Sequence, residues 1–347
     1  MLIVLLVVAA IALVEPGSST EHDRLAHPAK CRVYASPGGS DRWAGTRRRP
    51  YRTVRRLLRA VRPGKAGCLR SGTYRGNVTF RRPGRRGRPI TLQAAPRARA
   101  RLLGRVWVAR KARHVTVRGL RLDGRNRKDL PSPTINGCDA RFLYNDVTNR
   151  HTAICFLLGS DEYGRANRAL VARNRIHDCG VLPADGHDHG IYAEAVTGAT
   201  IEDNWIYDNA DYGIHFYPDA QSTTVRRNVI YGNGMGVIFA GVGGRASSGN
   251  LVEGNVIAAS KRGHNVDSYW PPGGPVGSGN LVRRNCLFGG PDPESGGVVM
   301  PMEGFEAAEN LVADPAPVDP AGKRFEPAPG SPCRGVVGDS AGDPGSR

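Results

Sequence analysis

Lysine is scarce in this chain. Of 49 basic residues only Lys30, Lys65, Lys111, Lys128, Lys261 and Lys323 are lysine, and the remainder are arginine. With 31 acidic residues the formal net charge is +18. The excess gathers in residues 42–127, in runs such as Arg47, Arg48, Arg49 and Arg81, Arg82, Arg85, Arg86. Such a field attracts polyanions; a genome-wide preference for arginine over lysine accounts for the composition equally well. No nucleic-acid-binding motif is present, so nucleic acid is not an expected partner.

Long apolar runs are scarce too. The one at Leu2–Val14 ends at Glu15, Pro16 and Gly17. It is too short to span a bilayer comfortably and, although no basic stretch precedes it, reads as the apolar part of a signal peptide. The expected layout is an apolar or signal segment over 1–20, a disordered linker over 21–30, one domain over 31–335 and a disordered tail over 336–347. No membrane span is expected in the mature chain, and the location is secreted or cell-surface. No two of the seven cysteines are spaced as a CxxC knuckle, which argues against a cysteine metal site. In an exported chain they imply disulfides. Their layout suggests Cys31 with Cys68, Cys155 with Cys179 and Cys286 with Cys333, leaving Cys138 as a free thiol.

Turn formers are plentiful, with 45 glycines and 25 prolines. A helix is expected where Tyr51, Val54, Leu57, Leu58 and Val61 approximate helical spacing before Pro63 and Gly64 stop it. Elsewhere short strands dominate. Ile191, Ile214 and Val237 open three similar strands at intervals of 23 residues. Alternation within each strand and a repeat of this length indicate a solenoid. Ile191, Ile214, Val237 and then Ala193, Phe216, Phe239 would stack inside. Tyr192, His215, Ile238 and Glu194, Tyr217, Ala240 would stack outside. Asparagines at 145, 174, 204, 228, 255 and 285 recur at intervals of 24–30 residues, each with an apolar residue two positions on. Asparagine tolerates the left-handed conformation of sharp turns, and stacked asparagines can form a hydrogen-bonded ladder.

Three stretches carry a resemblance: the opening from Tyr34 to Asp41 through Pro50–Thr53 to Gly72–Tyr74, the Asn-x-Ile repeats, and the ending at Asn310–Pro315 and Pro329–Pro332. Together the chain resembles the right-handed parallel β-helix proteins of the pectate-lyase-like superfamily over about residues 31–335. The resemblance implies an all-β, single-stranded right-handed parallel β-helix, its open end closed by the short N-terminal helix. Members of that superfamily are often polysaccharide lyases; others are glycoside hydrolases, epimerases or tail-spike-like binders.

Coil lengths locate an insertion. Asn204 to Ile214 and Asn228 to Val237 span 10 and 9 residues, whereas Asn174 to Ile191 spans 17. The extra residues form a loop around 178–189, which enters the strand of Tyr192 and Glu194. Loops inserted in solenoids often mark the binding face. Elimination from a uronic acid needs a proton acceptor, a proton donor and neutralisation of the carboxylate. His215 and Tyr192, with His187 or His189 as substitutes, suit proton transfer. Lys261 or Arg262 could neutralise the carboxylate, or calcium held by Asp185, Asp188 and Glu194 could do so; lyases of the superfamily often use calcium with a basic lysine or arginine. Glu194 and Tyr217 line the expected cleft, and Tyr269 and Trp270 offer a sugar-stacking platform or pack under the proline-rich loop that follows. The expected function is a secreted carbohydrate-active enzyme, a lyase of an acidic polysaccharide.

The alternatives are a non-catalytic carbohydrate-binding or structural β-helix, and a glycoside hydrolase using carboxyls among Asp188, Glu194 and Asp219. Gly186–Gly190 is similar to a Gly-His-Gly element of β-helix polygalacturonases, but their paired aspartates have no match here. Zinc on His187, His189 and His215 is a further possibility, and purely structural histidines and tyrosines are the plain one.

Overall fold

A computed structural model describes residues 27–338, with 342 and 344. The apolar run Leu2–Val14 lies outside the described residues. Three long, mainly parallel sheets, of 11, 10 and 9 strands in the order the chain visits them, run the length of the molecule. The chain visits each in turn, so that neighbours in a sheet come from successive coils: Thr200–Glu202, Thr224–Arg226 and Leu251–Glu253 in the first, Ile191–Thr197, Tyr212–Gln221 and Met235–Val242 in the third. This is the all-β parallel solenoid expected. Among the described residues the only helices are Val54–Ala60 and Arg334–Val337.

The first helix follows its sequence signals. The Thr53 side chain accepts from the Arg56 amide at its start, and Asp41 accepts from the amides of Arg52 and Thr53, both at 2.9 Å. At the far end one Arg82 nitrogen donates to the carbonyls of Leu58, Arg59 and Val61, supplying partners that a helix terminus lacks. Leu57 and Val61 press onto Gly67, where a Cβ would lie 2.6 and 2.7 Å from their side chains. The helix thus covers the apolar end of the solenoid, as expected of a cap.

Inside, the predicted stacks form. Ile191, Ile214 and Val237 are in register and fully buried, as are Ala193, Phe216 and Phe239. The rings of Phe216 and Phe239 stack with centroids 5.2 Å apart. Burying such side chains contributes roughly 1.5–3 kcal/mol each.

The asparagine ladder forms and runs one step further than expected. Side-chain amides link Asn145 to Asn174, Asn204, Asn228, Asn255, Asn285 and then Asn310, at 2.9–3.0 Å per step. The expected turn chemistry needs one correction. The left-handed residue is the one before each asparagine, for example Tyr144 (φ 55°), Arg173 (φ 55°) and Arg227 (φ 52°). That turn directs the asparagine inward, where its oxygen accepts both the amide and the side-chain NH₂ of the asparagine in the preceding coil. Shorter ladders join Asn209 to Asn233 and Asn250 to Asn280.

All three suggested disulfides form, and Cys138 is free. Cys286–Cys333 holds a terminal segment that returns along the second sheet. Phe325 packs on Trp205, Tyr207 and Tyr231 with centroids 4.7–5.8 Å away. Val337 is fully buried in the same cluster, so ordered chain continues past the expected boundary at 335. At the other end Ala29, within the expected linker, exchanges two hydrogen bonds with the Gln93 amide.

Candidate active site

The second sheet is partly covered by the returning segment, and the candidate site lies on the outer face of the third. There Tyr192 is in register with His215, and His215 with Ile238. Beyond Ala193 the register shifts, so that Ala195 faces Asp219. The extra residue falls at Tyr217–Pro218, where proline offers no amide to the ladder. The shift leaves Glu194 opposite this bulge.

His215 is the centre of an aromatic cluster. Its ring centroid lies 5.4 Å from Tyr192, 5.2 Å from Tyr212, 5.2 Å from Tyr217 and 4.4 Å from His189. Tyr192 and Tyr217 stack at 6.2 Å. The Nδ1 atom of His215 is 2.8 Å from Nε2 of His189. One of these nitrogens must donate and the other accept, so the pair shares one proton. Burial pushes the His215 imidazole down to about 3, with the His187 charge adding to the effect. Burial likewise holds His189, which is 2 % exposed, well below the ordinary range, helped by His215 and His187. Both rings are therefore neutral near pH 7. Burial also raises the phenols of Tyr192 and Tyr212.

Beside this cluster lies a charged group. Burial and the nearby Asp161 carboxylate push Glu194 up to about 7, while Arg245 pulls it back. Arg245 pairs with Asp161, and Arg165 pairs with Asp219. Asp219 also accepts from the Gln221 amide at 2.9 Å. Two arginines and three carboxyls thus alternate beside the tyrosines and histidines.

The inserted loop packs as its length suggests. Cys155–Cys179 ties it to the preceding coil. Buried Asp211 accepts from the amides of Gly186 and Asp188 at 2.9 and 3.1 Å. This orders His189 against His215, whereas His187 points away, exposed beside Asp185.

The structure thus brings together His189, Tyr192, Glu194, His215 and Tyr217, and leaves the other expected site residues elsewhere. Arg262 pairs with Asp211 at 2.8 Å and Lys261 with Asp208 at 2.8 Å; both cations hold the loop side of the solenoid. Tyr269 is 58 % exposed at the strand edge. Trp270 packs against the core and donates to the Glu303 carbonyl at 2.9 Å. The two aromatics therefore part company rather than form one platform. Among the described residues no three His, Cys, Asp or Glu side chains gather as a metal-holding group. Asp185, Asp188 and Glu194 do not form the hard-oxygen cage that calcium requires, and His187, His189 and His215 do not form a zinc set. Asp188 instead faces Asp211 and Asp185, and burial with these charges raises it.

Sequence reasoning missed Tyr212, Arg165, Arg245 and Asp161. Arg245 had a usable signal: Gly243 and Gly244 follow a strand, and the pair marks a hairpin that folds Arg245 back opposite Val242.

Comparisons with known proteins agree on the fold. The family model for the right handed beta helix region matches residues 133–269. The uncharacterized protein YwoF of Bacillus subtilis (strain 168) is 34% identical over 61 residues, covering 18% of this chain and 13% of that protein. Among solved structures, pectate lyase Pel9A superposes with a TM-score of 0.59 at 15% identity, covering 84% of this chain and 83% of its own. A rhamnogalacturonan lyase gives 0.56 at 15% identity, covering 83% and 91%. XylC, solved with xylose, gives 0.57 at 13% identity, covering 74% and 65%. At these identities the likeness concerns architecture. The repeating coils, the asparagine ladder and these matches together show a right-handed parallel β-helix fold.

Proposed function

We propose that this protein is an extracellular polysaccharide lyase that cleaves an acidic polysaccharide by β-elimination. The observation that carries the reading is the His215–His189 pair, kept neutral inside a ring of three tyrosines beside two arginines. Three disulfides suit an oxidising compartment. The lyases among the structural neighbours support a carbohydrate substrate.

In this reading the C5–H bond of a uronate breaks and its proton passes to the free Nε2 of His215. The electron pair forms the C4–C5 double bond. The C4–O bond breaks, and the leaving oxygen takes the phenolic proton of Tyr192 or Tyr217. His189 acts as a positioning residue, fixing the ring and tautomer of His215. Arg245 and Arg165 exchange their own carboxylates for that of the sugar, a charge-assisted contact that lowers the acidity barrier at C5. A bound anionic sugar also raises the basicity of His215, opposing the burial that depresses it.

Glu194 favours a second reading. A carboxyl with a pKa near 7, beside Asp219, is suited to be the acid of a glycoside hydrolase.

The deciding experiment follows absorbance near 235 nm while the protein is incubated with polygalacturonate, alginate and other uronate polymers. Elimination gives rising absorbance from the unsaturated product. New reducing ends without absorbance would establish hydrolysis instead, and neither signal would leave a binding protein.

A further inference from the structure

The outer row that holds Tyr192 and His215 continues toward the amino end of the third sheet. Tyr192 is in register with Leu157, Leu157 with Thr134, Thr134 with Trp107 and Trp107 with Thr79. Trp107 thus stands three coils from Tyr192, roughly 14 Å at ordinary strand spacing.

Trp107 is dressed for a planar, anionic ligand. The guanidinium of Arg105 lies 5.4 Å from its ring centre, and that of Arg81 lies 6.0 Å away. Its Nε1 donates to the Asn136 side chain at 2.8 Å, which fixes the ring. Tyr163, 52 % exposed, meets it edge-on at 6.2 Å. Arg105 is held by the Pro131 carbonyl and the Thr134 hydroxyl, at 3.2 and 3.1 Å. Neither Arg105 nor Arg81 has a carboxylate partner among the described residues. In their own stretch of chain acids are few, since Asp41 and Asp123 are the only acidic residues between positions 29 and 127, and Glu162, which the adjoining turn brings near, is engaged by the Tyr163 phenol. Asp123 is taken by Arg101 and Arg125, and Asp41 binds the start of the first helix.

One short turn, Ser160–Gly164, joins this group to the candidate active site. Its ends exchange backbone hydrogen bonds at 3.1 and 2.9 Å. Asp161 reaches Arg245 and the surroundings of Glu194, and Tyr163, two residues on, leans against Trp107.

We propose that Trp107, Arg81, Arg105 and Tyr163 form a distal subsite that grips an anionic sugar unit of a polymer lying along the third sheet. The identity of the polymer rests on the function proposed above. A flat sugar face stacks on the indole while its carboxylate meets the two guanidiniums. The row connecting Trp107 to Tyr192 keeps the polymer in line with the reacting centre a few sugar units away. The protein therefore prefers long chains, and the preference is set outside the site of bond breaking.

The test uses the full chain and its Arg81→Gln and Trp107→Ala variants. Calorimetry measures binding of long and trimeric fragments of polygalacturonate and alginate, with a single-stranded DNA oligonucleotide as rival polyanion. Arg81 is exposed, so Arg81→Gln keeps the fold, and thermal melting confirms it. The expected result is an affinity for the long fragments about tenfold weaker, with a shallower salt dependence. Trimers, which fit the reacting centre alone, bind and turn over as in the wild type. Unchanged affinity for long fragments, equal loss for trimers, no binding of either uronate by the wild type, or tighter binding of the DNA each overturns the subsite. Length-dependent binding without unsaturated product overturns the lyase reading and leaves the subsite standing.

Discussion

His215 and His189 face each other through Nδ1 and Nε2 at 2.8 Å, although they lie 26 residues apart in the chain. The contact exists because a strand residue and the end of an inserted loop meet across one coil. It fixes which nitrogen of His215 points at a ligand. His215→Ala should lower turnover of a uronate polymer by at least about a hundredfold, the scale of proton-transfer catalysis. His189→Ala should act less strongly, and mainly on kcat. The checks are steady-state kinetics alongside circular dichroism. An equal fall in melting temperature and activity for both variants would reduce the pair to packing.

The same pair makes stability depend on acid. Both rings bind protons less readily folded than their ordinary value of 6.5 implies. Their contribution to stability is present above pH 6.5 and is lost as pH falls below it. Urea midpoints measured from pH 7 to pH 4 should drop in the wild type and drop less in a His189→Phe, His215→Phe double variant.

Glu194 works in the opposite sense. Its carboxyl is raised from 4.5 to about 7, so the folded chain binds that proton more tightly than the unfolded one. The stabilisation is full below pH 4.5 and is lost as pH rises through 7. Because the side chain is partly open to solvent, the difference is on the order of 1 kcal/mol. Glu194→Gln should flatten the melting temperature between pH 5 and 8, and identical profiles for the two proteins would contradict the shift.

Asn228 sits mid-ladder, fully buried, accepting from Asn204 and donating to Asn255 and to the carbonyl of Ile201. Asn228→Leu strands the two Asn204 donors on one side and takes a donor from the Ile201 carbonyl and the Asn255 side-chain oxygen on the other. We expect a loss of about 2–4 kcal/mol, read by chemical denaturation. A loss within 0.5 kcal/mol, the scale of an ordinary surface change, would show that the ladder is ornamental to stability.

Tyr269 and Trp270 separate by consequence. Trp270→Ala removes a half-buried ring packed against Gly277 and Gly304 and should cost about 1–3 kcal/mol. Tyr269→Ala should leave the melting temperature within a degree or two, because its ring is largely exposed.

The fold was legible where coils have constant length. Strands beginning at Ile191, Ile214 and Val237 recur at one interval, so alternation and repeat pointed to the same inner stacks. The asparagines were legible because each fills the same corner. The site was legible only along its own strands. Tyr212 has the parity of the buried Ile214 and Phe216, yet it reaches Ile238 and His215 on the outer face; alternation fails where the chain enters the strand. Arg165 and Arg245 meet their partners 54 and 84 residues away in sequence, across turns whose lengths no periodicity predicts. Arg262 and Lys261 were expected to neutralise a sugar carboxylate, but they pair with Asp211 and Asp208, partners 51 and 53 residues away in sequence.

The returning segment sets an order of assembly. During synthesis Trp205, Tyr207 and Tyr231 leave the ribosome well before Phe325, which lies against all three. At usual elongation rates that strip waits on the order of ten seconds for its cover. A nascent chain stalled in that interval would present a row of aromatic rings to its neighbours until the segment carrying Phe325 docks and Cys333 joins Cys286.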